Sequence, residues 1–435
     1  MTPSLTADLL LAAIPVLGTA LSLLAWSKPR ELKICLLLVT TASLGAIGWT
    51  AGRLPAQSAG APLLVLLPAA ALLSLLGQPV HRDNRAAWLW TTVLLGPGLG
   101  VLAGGAPLSR LFLFAVLVLT AALLFHFRRH AAPGSLWGAG TLGLGSLCAV
   151  ATLAAAPPLA SSMLLLTGAM LLPLVPFHKG YVAALTGLPG NLPAFLSVLL
   201  PVLGFAQIST LLPDIPPPMG GAMTALALAG TVYGALKALT QPRVASLLAC
   251  GSLSFLSILW WYLLTARTVV PQAVVYVSAV ALATCGLLLA WYALRARFGD
   301  VDARALTGLA RSMPRLAVTL SLLALAALGL PPFGVFSGFL GMLLAPGFVF
   351  SGGLIVIVVA WLSASWYLFD LAQRLLFGRE RTDLRQEDLR DPELASLAVV
   401  LVLLAALGLM PSRWFDSAPA PRQSTVVTEV PAWNN

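Results

Sequence analysis

Residues 171–204 read LLPLVPFHKGYVAALTGLPGNLPAFLSVLLPVLG. The stretch is apolar enough for a membrane, yet Pro173, Pro176, Pro189, Pro193 and Pro201 punctuate it. Proline lacks an N–H and clashes with the preceding turn, so a membrane helix is expected to break or kink here. Broken backbone at membrane depth is tolerated only where protein or a wet cavity covers it. A second interrupted stretch, GLPPFGVFSGFLG, lies at residues 329–341, with Pro331 and Pro332 at its centre. Two Pro/Gly-interrupted apolar segments in corresponding halves point to an architecture built from repeats.

Composition places the whole chain in the bilayer. Of 435 residues, 59% are hydrophobic and 9% charged, against about 25% charged in an ordinary soluble domain. A soluble enzyme is therefore excluded. The first apolar run, 5–26, lacks a basic leading segment and is long enough to span, so it reads as a helix of the mature chain. Cys35, Cys148, Cys250 and Cys285 all fall in apolar segments without paired spacing and read as small core residues.

Walking along the chain, about fourteen spanning segments of bilayer length can be drawn. They cover 5–26, 32–52, 62–77, 86–104, 108–127, 135–155, 160–177, 191–212, 219–240, 243–264, 271–294, 313–345 with its break, 350–376 and 393–411. Placing the N-terminus outside puts twenty of the 25 Lys and Arg in inside loops and leaves Arg53, Arg110, Arg267, Arg413 and Arg422 outside. That bias follows the positive-inside rule. Both termini are then expected outside. The formal charge of +10 is topological, and nucleic acid is not expected as a partner. The mixed-sign run GRERTDLRQEDLRDP, 378–392, reads as a solvated loop that could also contact a soluble partner. The tail beyond Pro411 is rich in Pro, Ser and Thr and reads as disordered.

Six motifs in order carry a resemblance. PLVPFH (173–178) resembles the PLFPFH element of the antiporter-like membrane subunits of respiratory complex I, multisubunit cation/proton antiporters and membrane-bound hydrogenases. YGALKALTQPRVASLLACGSLSFL (233–256) is similar to their YGAxxALxQxDxKRLLAYSSxSH, and DARALTGLARSMPRLA (302–317) to their inside loop with GL and MP. GLPPFGVFSGF (329–339) resembles their GIPPTxGFxxKF, SWYLFDLAQRLLFG (365–378) their YYLRxxxRxxFG, and LLAALGLMPSRWFD (403–416) their LGLYPxxxxD. The nearest types are the M, N and antiporter D subunits. No long lateral helix follows the last span, which disfavours the L type.

The resemblance implies an all-α integral membrane protein with two inverted five-helix repeats, each holding one broken helix. The corresponding division is an N-terminal three-helix segment at 1–85, a first repeat at 86–212, a second at 213–376, and a loop, last helix and tail at 377–435. It also implies a buried ladder of Glu, Lys and His that moves protons, since such groups are costly in lipid and rarely present without function. Position by position, that ladder is missing. Its members fall on or near Leu119, Leu171, Pro201, Ala245, Phe255 and Gly338, and its HxxxK element is replaced by the apolar VVYVSAVALA.

Five ionisable residues remain as candidates for an ion path: Lys237, Asp370, His178, Lys179 and His126. Each also has a structural reading. Lys237 sits about a turn from a helix end, where lysine snorkels to headgroups. Asp370 has Arg374 at i+4 on the same face. His178 and Lys179 stand at the inside mouth of the first break, where they could simply be hydrated, and His126 lies beside Arg128 and Arg129 at an interface. No catalytic residue, metal-ligand set or cofactor fingerprint is evident. The expected role is that of an antiporter-like membrane subunit with a degenerate ion path, held in the cytoplasmic (inner) membrane by the bilayer and by other membrane subunits. Two alternatives stay open: an active proton or sodium transporter using residual polar groups and water wires, and a membrane anchor for a soluble redox or inorganic-carbon-uptake module on the inside.

Overall fold

The computed structural model describes residues 3–51, 61–130, 134–299, 306–345, 351–377 and 387–409. The tail from Met410 onward and the first nine residues of the charged run, 378–386, lie outside the described residues.

Every element is helical among the described residues. Three helices come first: α1 (Pro3–Ser22), α2 (Pro29–Ala51) and α3 (Ala61–Leu76). Next come α4 (Arg85–Ala103), α5 (Ala106–His126), α6 (Ser135–Ala151), α7 (Pro157–Leu171), α8 (Lys179–Gly187) and α9 (Leu192–Leu211). A further set comprises α10 (Pro217–Thr240), α11 (Val244–Ala266), α12 (Pro271–Phe298), the single turn α13 (Leu309–Ser312), α14 (Pro314–Ala327), α15 (Gly334–Leu343) and α16 (Gly353–Leu376). The last helix is α17 (Asp391–Leu409). Nine helices among the described residues are long and apolar enough to cross a membrane, and six shorter apolar ones accompany them.

Proline sets many of the starts. It occupies the first turn of α5, α7, α9, α10, α12 and α14, where its missing N–H would have had no partner in any case. Where proline falls after a half-helix, the helix stops. α7 ends at Leu171, just ahead of Pro173 and Pro176, and α14 ends at Ala327, ahead of Pro331 and Pro332. The span drawn at 160–177 therefore closes six residues early as helix. Pro201 behaves otherwise. α9 runs through it without interruption, although an internal proline costs about 3 kcal/mol or more. α9 is buried along most of its length, and that packing offsets the one lost backbone bond.

The centre of the molecule is α11 and α12, whose spanning windows are wholly buried. Their sequences are apolar on every face, as a helix surrounded by protein requires. α11 packs against α8, α10, α12 and α16, and α12 against α9, α14, α15 and α17. α8, α14 and α15 thus lean on a common two-helix core, while α7 packs against α6 and α9.

Candidate functional site: the two breaks and the core between them

A broken helix leaves carbonyls without partners. In the first break, residues 172–178, the Leu172 carbonyl accepts a hydrogen bond from the Trp260 indole of α11 at 2.9 Å. In the second, residues 328–333, the Leu328 carbonyl accepts one from the Trp361 indole of α16 at 2.8 Å. Each half-helix end is thus met by a tryptophan from another helix. α7 has 15 residues, about 22 Å at a rise of about 1.5 Å per residue, against a hydrocarbon core of about 30 Å. The Leu172 carbonyl is therefore deep, where an unmet acceptor would cost several kcal/mol.

Trp361 also closes the second break sterically. Gly329 has φ +73°, a left-handed conformation that glycine adopts without penalty. A Cβ at Gly329 would stand 2.3 Å from the Trp361 ring. Phe255 meets Trp361 edge-on with centroids 5.0 Å apart, and Phe339 lies 4.6 Å from the same ring on a tilted plane. Three aromatic side chains thus fill the space between α11, α15 and α16.

Positions at which the resemblance places relay groups are apolar and packed. Leu171, Pro201, Phe255 and Gly338 are buried. At Gly338 a side chain would meet the Tyr276 backbone at 2.7 Å, so α15 and α12 touch where an ionisable group would have to fit. What remains is a set of hydroxyls. Tyr181 and Ser252 share a 3.0 Å hydrogen bond, and Ser252 donates to the Ala249 carbonyl. Tyr276 donates to the Phe255 carbonyl at 3.0 Å and Ser254 to the Thr231 carbonyl at 2.7 Å. Beside them, Ser252, Thr284 and Tyr367 line a cavity of about 20 Å³. One water needs about 10–15 Å³ by the same measure, so the space admits about one.

The five candidate residues do not form a ladder. Asp370 and Arg374 make an i,i+4 ion pair at 2.7 Å, with 41% and 51% of their side chains exposed. Lys237 is exposed in the last turn of α10. His126 is exposed and, with Arg128 and Trp90, lines a cavity of about 680 Å³. His178 and Lys179 come together with Tyr233 at another cleft, of about 240 Å³. Tyr233 stacks edge-on against His178 at 5.3 Å, and Lys237 stands one turn beyond it on α10.

Sequence reasoning missed the most deeply held charges. Arg297, in the last turn of α12, pairs with Glu393, in the first turn of α17. Both side chains are nine-tenths or more buried. The guanidinium also reaches the carbonyls of Glu387 and Asp388 at 2.9 and 3.0 Å. Asp388 accepts hydrogen bonds from the backbone N–H of Arg315 and Leu316, capping α14. Part of the run read as a solvated loop is therefore a junction of three helix ends. Lys33, also buried, donates to the carbonyls of Leu76 and Gln78 at the end of α3.

Among the described residues, no three His, Cys, Asp or Glu come together as a metal site. All four cysteines are free.

A continuous helical bundle with two interrupted helices against a buried pair is the architecture of the antiporter-like membrane subunits. Solved structures agree on the fold. A chain of respiratory complex I from Thermus thermophilus superposes with a TM-score of 0.79 at 19% identity, covering 94% of this chain and 97% of that one. A chain of the Mrp complex from Dietzia sp. superposes with a TM-score of 0.77 at 16% identity, covering 96% of each. Residues 134–366 match the family described as "NADH:quinone oxidoreductase/Mrp antiporter, TM", and the chain belongs to that family. Its sequence is 30% identical over 221 residues to NADH-quinone oxidoreductase subunit N 1 of Aquifex aeolicus, across 47% of this chain and 46% of that protein. It is 29% identical over 260 residues to F(420)H(2) dehydrogenase subunit M of Methanosarcina mazei, across 56% and 51%. The chain spans about half the length of these curated relatives.

Proposed function

We propose that this chain is an antiporter-like membrane subunit of a larger proton- or cation-translocating assembly, of the oxidoreductase, antiporter or hydrogenase kind, and that its own ion path is closed. It then serves to seal and space the membrane part and to dock neighbours. The observation that supports the reading is the pair of indole hydrogen bonds, from Trp260 and Trp361, to the carbonyls that the two breaks set free. A relay needs groups that take up and release charge at the midplane; here the deep positions hold indoles, hydroxyls and backbone, with room for about one water.

Two features support work in an assembly. In the second break Leu330, Pro331 and Pro332 are exposed, and irregular backbone at membrane depth needs a protein cover. The outer face of α16 presents Ile355, Leu362, Trp366 and Phe369 in a row, ending at the Asp370–Arg374 pair. A neighbouring membrane helix would cover both. The relatives' names also describe subunits of complexes. We further propose a cytoplasmic-membrane location with both termini outside, about fourteen spans, and repeat units at 86–212 and 213–376.

Reconstitution of the purified chain in vesicles with an internal pH dye tests the closed path. Proton or sodium flux at the level of protein-free vesicles is expected. Flux above that level, lost in Asp370→Asn or Lys237→Gln, would overturn closure and favour the transporter alternative, with the Tyr181–Ser252 hydroxyls as part of the wire. Purification from native membranes tests the assembly. A chain that runs alone removes the subunit reading, and a soluble redox or carbon-uptake protein as the sole companion favours the anchor.

A further inference from the structure

Ser252 of α11, Thr284 of α12 and Tyr367 of α16 present hydroxyls to one small cavity. Ala327, the last residue of α14, and Val335, the second of α15, form part of its wall. The cavity therefore adjoins the second break. Tyr367 is only 2% exposed. Its hydroxyl lies against Gly251, where a Cβ would collide with it. Among the described residues no hydrogen-bond partner meets that hydroxyl. A polar group left unmet in the interior is costly.

The other two hydroxyls have their hydrogens committed. Thr284 donates to the Val280 carbonyl at 2.8 Å. Ser252 donates to the Ala249 carbonyl at 3.0 Å, so Tyr181 is the donor in the 3.0 Å bond between Tyr181 and Ser252. A hydroxyl oxygen has two lone pairs. Ser252 keeps one open and Thr284 both. The lining thus offers one hydrogen, on Tyr367, and acceptors on two other side chains. A water molecule accepts one hydrogen bond here and donates two, which answers every open group. The cavity, of about 20 Å³, exceeds the about 10–15 Å³ that one water needs, and three polar partners are the usual number for a buried water. No carboxylate lines it, so a metal cation would sit there uncompensated.

We propose that one ordered water occupies this cavity, accepting from Tyr367 and donating to Ser252 and Thr284. It completes an uncharged chain, Tyr181–Ser252–water–Tyr367. The chain runs from α8, the half-helix after the first break, through α11 to α16 beside the second. One water therefore ties the surroundings of the two breaks together across the core.

The test is a map of the full-length chain at a resolution that shows ordered water, recorded in sodium buffer and again in choline buffer. One peak about 2.6–3.2 Å from the Tyr367 hydroxyl is expected in both. An empty cavity would overturn the proposal, and so would a peak lost in choline, which would belong to sodium. Tyr367→Phe gives a second readout whose sign decides. With the water in place the variant removes its donor, and the unfolded-to-folded ratio should rise about fivefold. With a dry cavity the variant removes an unmet hydroxyl, and an unchanged or lower ratio would again overturn the proposal. Combining Tyr367→Phe with Ser252→Ala closes the test. These hydroxyls share no direct bond, so their effects should depart from a simple sum through the water that joins them. Strict additivity would break the chain.

Discussion

In the first break Pro173 and Leu174 are buried, and the Leu172 carbonyl is met by Trp260, itself wholly inside the protein. In the second, Leu330, Pro331 and Pro332 are exposed, and the Leu328 carbonyl is met by a half-buried Trp361. The same local device, an indole N–H on the last carbonyl of a half-helix, serves in two different settings. The difference separates two requirements of a broken membrane helix. The freed acceptor can be answered by one side chain; the irregular backbone needs a covering surface. The chain meets both at 172–174, with Pro176 left exposed further along the same break, and only the first of them fully at 328–333. On the reading of the chain as a subunit, a neighbour completes the second.

Four substitutions probe that contrast, each read as a shift in unfolding midpoint in lipid–detergent micelles. Gly329→Val should cost most, about 3 kcal/mol, because it forces a β-branched residue into left-handed backbone and drives its Cβ into Trp361. Trp260→Phe should cost about 2 kcal/mol, leaving a deep carbonyl unmet. Trp361→Phe should cost about 1 kcal/mol, since the half-buried Trp361 ring gives up less packing than the wholly buried Trp260. If it costs more than Trp260→Phe, the two breaks have been ranked in the wrong order. Asp370→Asn should cost about 0.5 kcal/mol or less, as for an exposed i,i+4 pair. A larger loss would mean that a partner or buried group depends on Asp370.

Much of this was legible in the residues. Pro173, Pro176, Pro331 and Pro332 marked both breaks because proline acts on its own helix and needs no tertiary context. Asp370 and Arg374 were paired by spacing alone, for the same reason. Pro201 misled, because whether a helix tolerates an internal proline depends on how fully its neighbours pack it, and α9 is packed along most of its length. The roles of Trp260 and Trp361 were invisible: in a run that is apolar on every face, no periodicity separates a hydrogen-bonding indole from a space-filling one. Arg297 and Glu393 were invisible for another reason. Each lay near a helix end among other charges, and 96 residues separate them; only the packing of α12 against α17 singles out this pair.

That junction has a mechanical consequence. α17 is fastened at its start, through Glu393 of its first turn to Arg297 and through Asp388, three residues ahead of it, to the start of α14. The peptide joining it to α16 is therefore not what keeps it in place. A chain cleaved by protease between residues 378 and 386 should travel through purification as two fragments that stay together.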